Sequence, residues 1–186
     1  MNFSPDHHNS RFSRIVQESL TKAGWFPGRT VPEMQLNRWC ILESHNGAGY
    51  CRIFPAALRA LKEFGGLDIE PLETGELYET VRLRFDPLAA RSFLGEEWFT
   101  YEWVLETSLY PLGLIETDDH DHVMAIDQSG RIFSFYYELI LVGNTLDEAI
   151  ESCLTGSDTG EPVDFSTEKA DEAVAIFQAI RDKKSQ

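Results

Sequence analysis

The sequence lacks the features that would place it in a membrane or send it out of the cell. No run of residues approaches the roughly 20 consecutive apolar positions that a membrane-spanning helix requires. Residues 1–9 include Asp6, His7 and His8 and contain no apolar stretch, so they do not match a secretion signal. We therefore expect a cytoplasmic protein whose first nine residues form a flexible tail.

Cysteine is also scarce. The chain of 186 residues has three, at Cys40, Cys51 and Cys153, and none of them belongs to a C-x-x-C pair. An odd number of widely spaced cysteines excludes a disulfide framework and supplies no zinc-ligand pattern. The expectation is three reduced thiols that pack as small apolar side chains.

Basic residues are rare in the second half of the chain. Residues 1–93 hold 11 acidic and 11 basic residues, whereas residues 94–186 hold 20 acidic and 5 basic residues, which accounts for the net charge of -15. Between Arg91 and Lys169 the only basic residue is Arg131. Such a surface repels nucleic acid and anionic membranes, and it attracts a basic protein. The alternative is a charged surface that only promotes solubility.

Catalytic motifs are absent, since the sequence has no G-x-S-x-G, no H-E-x-x-H and no phosphate-binding loop. The densest group of possible metal ligands is Asp-Asp-His-Asp-His at residues 118–122. Five consecutive residues cannot converge on one ion, and strand alternation sends the neighbours of His122 to opposite faces. We interpret the run as an acidic loop and expect no catalytic residues, metal or cofactor. A metal-dependent enzyme that uses Asp118–His122 stays a lesser alternative.

The order of periodic segments predicts an α+β fold with an antiparallel β-sheet packed against helices. Apolar residues at helical spacing predict helices over 10–23, 31–42, 55–64, 96–105, 145–154 and 166–181. Short apolar and alternating runs predict strands over 67–70, 80–85, 110–114, 122–126 and 131–136, the last two forming a hairpin. The predicted organisation is a flexible tail (1–9), one domain (10–156), and a flexible link with a C-terminal helix (157–186).

The aromatic residues of the predicted helix 96–105 lie on more than one of its faces. They are Trp98, Phe99, Tyr101 and Trp103. Core packing is the simplest interpretation, but a helix with aromatic residues around its circumference leaves one or two of them exposed. An exposed aromatic side chain there would serve as an anchor for a protein partner.

Several separated segments together resemble a known family. They are AGWFPGR at residues 23–29, FGGL at 64–67, FDP at 85–87, YPLG at 110–113 and MAIDQSGR at 124–131. In this order they are similar to the third subgroup of the SUKH superfamily, bacterial immunity proteins related to a fungal cell-wall regulator, over residues 11–154. The resemblance implies an α+β fold and a role as the antidote of a toxin domain, often a nuclease or a nucleic-acid deaminase. It carries over no catalytic residue.

The acidic second half then becomes the candidate binding surface for a basic toxin. The predicted partner-binding residues are Glu96, Glu97, Asp118, Asp119, Asp121, Asp147, Glu148 and Glu151. Opposite charge would speed the encounter, and buried aromatic side chains would hold the complex. A scaffold or regulatory binding module that acts without a toxin is the alternative.

Overall fold

The computed structural model describes residues 10–43, 49–72, 81–136, 138–158, 160–164, 169, 171–172 and 175. Within these ranges the α-helices with defined bounds are Arg14–Lys22 (α1), Glu33–Arg38 (α2), Pro55–Phe64 (α3), Glu96–Leu105 (α4) and Leu146–Thr155 (α5). A 3₁₀ helix, Ala89–Phe93, precedes α4. None of the helices described here has both the length and the apolarity needed to cross a bilayer.

The strands form one large sheet and one small hairpin. The hairpin pairs Ile41–Glu43 (β1) with Tyr50–Arg52 (β2). The large sheet contains Asp68–Ile69 (β3), Arg82–Arg84 (β4), Leu109–Glu116 (β5), Asp121–Asp127 (β6), Ile132–Phe135 (β7), Leu139–Gly143 (β8) and Glu161–Pro162 (β9). Each of these strands pairs antiparallel with the next in the chain. This arrangement confirms the predicted α+β class with an antiparallel sheet.

An aromatic cluster joins the first helices to the sheet. The ring of Phe64, at the end of α3, stacks between Trp25 at 6.3 Å and Phe85 at 5.4 Å, measured between ring centroids. Phe12 meets both Trp25 and Phe64 edge-on. All four rings are buried, so they belong to the core. Large buried rings of this kind contribute heavily to core stability.

Three helices match their predicted bounds closely because their ends carry clear local signals. Pro55 begins α3, where its missing N–H costs nothing. Thr145 caps α5, and its hydroxyl accepts a hydrogen bond from the Glu148 N–H at 3.2 Å. The predicted range of α4, 96–105, is the observed one. In α1 the cap is Ser13, so the helix begins at Arg14 and not at Ser10.

The prediction for the second helix was wrong in two respects. The helix begins at Glu33 and not at residue 31, since Pro32 precedes it and no side chain caps it. The helix also ends at Arg38 and not at residue 42, because Ile41–Glu43 pairs with β2 and alternates between exposed and buried residues. Cross-strand pairing with β2 outweighs the helical preference of Leu42 and Glu43.

The two strands of the small hairpin were not predicted, and neither were two strands of the large sheet, β8 and β9. The apolar run of β8 lacks the alternation that marks a half-buried strand, and β9 lies inside the segment interpreted as a flexible link. Residues Glu161 and Pro162 pair there with Leu141 and Ile140. The predicted tail 1–9 and, apart from four isolated positions, the predicted helix 166–181 lie outside the described residues. The domain boundaries stay predictions.

Gly113 allows β5 to pass β4 at close range. The register of β5 with β6 shifts between Pro111 and Gly113, which marks a β-bulge, and Gly113 has a φ of 153°. A Cβ atom added there would lie 1.8 Å from the carbonyl oxygen of Arg84. The neighbouring atom belongs to the backbone and has little freedom to move away.

We expect Gly113→Ala to destabilise the protein by about 3 kcal/mol or more, since the overlap forces β4 and β5 apart. Chemical denaturation measures this loss. The matched control is Gly95→Ala, whose added Cβ would have its nearest neighbour at 3.5 Å. The control should cost less than about 1 kcal/mol, and equal costs for the two variants would contradict the role of Gly113.

Candidate functional site

The acidic run 118–121 forms a tight turn between β5 and β6. The Thr117 hydroxyl accepts a hydrogen bond from the His120 N–H at 3.0 Å and donates one to the His120 carbonyl at 2.7 Å. Asp118 and Asp119 lie at the exposed tip, and Asp121 is exposed at the start of β6. Within the part of the chain that the structure describes, no ion pair involves these three carboxylates.

The two histidines of this run pack against neighbouring side chains. The rings of His120 and Tyr136 stack at 4.7 Å, and Nδ1 of His122 lies 3.1 Å from the Ser134 hydroxyl. Burial lowers the pKa of His122, with a smaller contribution from His120 and an opposing one from Asp121. Among the described residues no group of three possible ligands is placed to hold a metal ion. The turn thus presents three exposed carboxylates that have no ion-pair partner among the described residues.

The three predicted contacts on α5 are all engaged within the molecule. Asp147 accepts two hydrogen bonds of 2.6 Å from Arg11, and Glu148 accepts one of 2.9 Å from the Asn144 N–H. Glu151 accepts one of 3.1 Å from the Ser13 N–H, at the start of α1. These carboxylates line a cleft of about 990 Å³ beside α1 and β8. Their contacts give them a structural role whether or not they also meet a partner.

Arg11 is the centre of this network. Besides Asp147 it pairs with Glu63 of α3, and its guanidinium lies over the rings of Phe12 and Phe64 at 5.0 and 5.5 Å. Both carboxylates raise the pKa of Arg11, the bond to Asp147 more strongly. One guanidinium therefore ties together α3, α5 and the chain before α1.

The segment 23–29, part of the family resemblance, makes hydrogen bonds with the C-terminal end of α3. The Trp25 indole N–H donates to Glu63 at 3.1 Å. The guanidinium of Arg29 donates to the carbonyls of Glu63 and Gly65 at the end of α3. These contacts satisfy carbonyl groups that a helix end leaves without partners. The motif therefore serves the fold by completing the end of α3.

The predicted contacts on α4 lie at its first turn. Glu97 is exposed there, and the side chain of Glu96 lies outside the described residues. Of the aromatic residues on this helix, Trp98 is buried at 1% exposure while Trp103 is 47% exposed. One of the four aromatic residues is thus available to a partner, as the sequence led us to expect.

The carboxylates predicted to contact a partner do not form one continuous patch in the structure. Asp121 begins β6, whereas the turn after Asp127, at the other end of that strand, borders a hollow shared with Thr145 and Leu146 at the start of α5. Seven residues of strand span about 20 Å. The acidic turn and the start of α5, with Asp147 and Glu148, therefore lie at opposite ends of the sheet.

Two carboxylates that the sequence reasoning missed lie at the end of α4. Glu102 is half-buried, and its carboxylate accepts a hydrogen bond of 2.7 Å from the Leu109 N–H. Burial raises the pKa of Glu102 to about 7 despite this bond. Glu106 ends the helix and pairs with Lys169 at 2.8 Å. The available signal was the position of two acids at the C-terminal end of a helix, where the dipole disfavours negative charge.

Comparison with known proteins gives one result. The family model for the SUKH-3 immunity protein matches residues 12–156, more than three quarters of the chain. No curated protein and no solved structure matches. The matched range includes every carboxylate predicted to contact a partner, together with Glu102 and Glu106.

We expect the acids of α5 and of the acidic turn to differ in what they contribute to stability. Asp147→Asn weakens the bidentate contact with Arg11 and should lower the free energy of unfolding by about 1 kcal/mol, a value limited by solvent screening. Asp118→Asn removes the same charge from an unpaired position and should change stability by less than about 0.5 kcal/mol. Urea denaturation of both variants checks this difference, and equal effects would refute it.

We expect Glu102 to make stability depend on pH. Its pKa rises from 4.5 to about 7 on folding, so its proton is held more tightly in the folded state. The stabilising effect is complete below pH 4.5 and is lost as the pH rises to about 7. Glu102→Gln should remove this loss and stabilise the protein at pH 8 by about 2 kcal/mol. Thermal unfolding of the unaltered protein and of Glu102→Gln from pH 5 to 8 measures the difference. Parallel plots of thermal midpoint against pH would contradict the prediction.

Proposed function

Because the chain belongs to the SUKH-3 immunity protein family, we propose that it neutralises a cognate toxin by covering a basic, nucleic-acid-binding face of that toxin. The toxin would be a nuclease or a nucleic-acid deaminase, met in the cytoplasm. The immunity role itself follows from the family. The type of toxin and the basic character of its face are the parts that we propose.

The observation that supports this proposal most directly is the unpaired acidic turn. Asp118, Asp119 and Asp121 are exposed and have no basic partner in the described residues, whereas Glu116 beside them pairs with Arg82 at 3.5 Å. Unpaired exposed charges keep their field for long-range attraction, because no neighbouring charge of the same protein cancels it. The turn is also ordered by its own hydrogen bonds, which lowers the entropic cost of docking.

The eight predicted contacts divide accordingly into two classes. The turn carboxylates and Glu97 are exposed and supply long-range attraction, as would Glu96. Asp147 and Glu151 hold α5 to Arg11 and Ser13 at the start of α1, whereas Glu148 accepts from the Asn144 N–H at the start of α5 itself. All three contribute to the overall field and line the cleft beside α1. A nucleic-acid-binding face is basic, so the same surface that attracts DNA or RNA to the toxin would attract this protein. Bound there, it would exclude the nucleic acid substrate.

We expect the combined change Asp118→Asn, Asp119→Asn and Asp121→Asn to slow association with the cognate toxin about tenfold at low salt, since electrostatic attraction governs the encounter rate. The dependence of the rate on salt should become weaker as well. Stopped-flow association at several salt concentrations, with the toxin encoded beside the gene as the partner, measures both effects.

The control changes the same amount of charge elsewhere in the chain. Glu18→Gln, Glu33→Gln and Glu70→Gln neutralise three exposed acids of the first half, and this triple variant should keep most of the rate. If both triple variants are slowed equally, net charge and not the turn drives association. If the unaltered protein binds no toxin at all, the scaffold interpretation takes the place of the immunity proposal.

A further inference from the structure

Two carboxylates at the end of α4 occupy positions that disfavour folding. Glu106 has φ 53° and ψ 33°, and within the described ranges no other non-glycine residue has a positive φ. Glycine is the usual residue at such a helix end, because a Cβ atom crowds the backbone there. Glu102 and Glu106 also lie at the negative end of the helix dipole, and the last turn holds no basic residue. Backbone strain of this kind is concentrated at functional sites.

The same carboxylates border an open cleft with aromatic walls. The cleft measures about 480 Å³, and its lining includes Trp103 and Phe99, with Gln128 from the turn between β6 and β7. The two aromatic residues are four positions apart on α4 and therefore lie on one face of the helix. Trp103 is 47% exposed and lines the cleft together with Glu102 and Glu106.

The rim of the cleft already holds a cation. The ammonium of Lys169 lies 2.8 Å from a carboxylate oxygen of Glu106, and this contact lowers the pKa of Glu106. Both side chains are at least half exposed, so their pairing is weak and exchanges readily with solvent. A cation brought by another protein can take this place without leaving a buried charge behind.

We propose that the cleft between Trp103, Glu102 and Glu106 takes an arginine side chain of the toxin, an inference that rests on the proposed function. A guanidinium is planar, so it stacks on an indole ring while its N–H groups pair with a carboxylate in two parallel hydrogen bonds. An arrangement of one indole and two carboxylates offers both kinds of contact. The unfavourable placement of two acids at a helix end is then compensated in the complex.

This contact is independent of the acidic turn. Glu106 precedes β5, and the turn follows it, so the eight residues of that strand hold the two sites about 24 Å apart. Changes at sites this far apart add without coupling. The tests of the two sites can therefore be interpreted separately.

The decisive variant is Glu106→Gly, because it separates binding from stability. Glycine suits the left-handed conformation, so the thermal midpoint of the variant should stay the same or rise. Its affinity for the toxin encoded beside the gene should fall about tenfold or more, measured by isothermal titration. Trp103→Ala should weaken binding to a similar degree, and the control Glu18→Gln, on the exposed face of α1, should bind as the unaltered protein does.

Lys169→Gln tests whether Glu106 matters for binding only because it pairs with Lys169. We expect this variant to bind the toxin at least as tightly as the unaltered protein, because it removes a competing cation. A loss of affinity equal to that of Glu106→Gly would overturn the proposal. The proposal would also be overturned if Glu106→Gly lowered both the affinity and the thermal midpoint, because that result would mean that Glu106 supports the fold.

The occupant is identified by replacing each toxin arginine with alanine in turn. One replacement should weaken binding to the unaltered protein but have little further effect on Glu106→Gly, the signature of a direct contact. Absence of any coupled arginine overturns the choice of occupant. If the unaltered protein binds and Glu106→Gly binds equally well, the cleft inference fails and the proposed function stands. If the unaltered protein does not bind, the proposed function fails and the cleft inference with it.

Discussion

The close passage of β5 beside β4 is the constraint on which the arrangement of this protein depends. Seven of the eight residues of β5 are buried, and the bulge at Gly113 lets the strand lie against the Arg84 carbonyl. β5 leads from the end of α4 to the acidic turn, so its course places both candidate contact sites. A side chain at position 113 would disturb the two sites together, although it touches neither.

Charge has two separate uses in this molecule. Acids that pair with Arg11, or with the first N–H groups of α1 and α5, hold helices in place and would be costly to remove. Acids at the turn 118–121 have no such partners within the described ranges, and those at the end of α4 lie where the helix dipole opposes them. The acids of the turn and of the end of α4 can therefore still gain a favourable contact with a cation of another protein. Net charge alone does not distinguish the two kinds.

Much of the fold was predictable because its signals are local. Proline at the start of α3, threonine before α5 and the turn between β6 and β7 each act over a few residues and specify where an element begins or ends. β1, β2 and β8 pair with strands close to them in the chain, and they were missed because their short runs lack the apolar–polar alternation that marks a half-buried strand. β9 was missed because glutamate and proline, its two residues, are rare in strands. The second helix was predicted too long because its last predicted residues pair with β2 instead.

The sequence by itself determined the class of fold, the family and the acidic character of the second half, because these depend on composition, periodicity and ordered motifs. Which acids are available to a partner was decided only by the tertiary structure. Asp147 and Asp118 are alike in the sequence, yet one meets a guanidinium from a residue 136 positions away and the other meets solvent. The left-handed conformation of Glu106 and the exposure of Trp103 likewise arise only when α4 is packed against the sheet. Pairing and exposure are properties of residues far apart in the chain, and no local pattern encodes them.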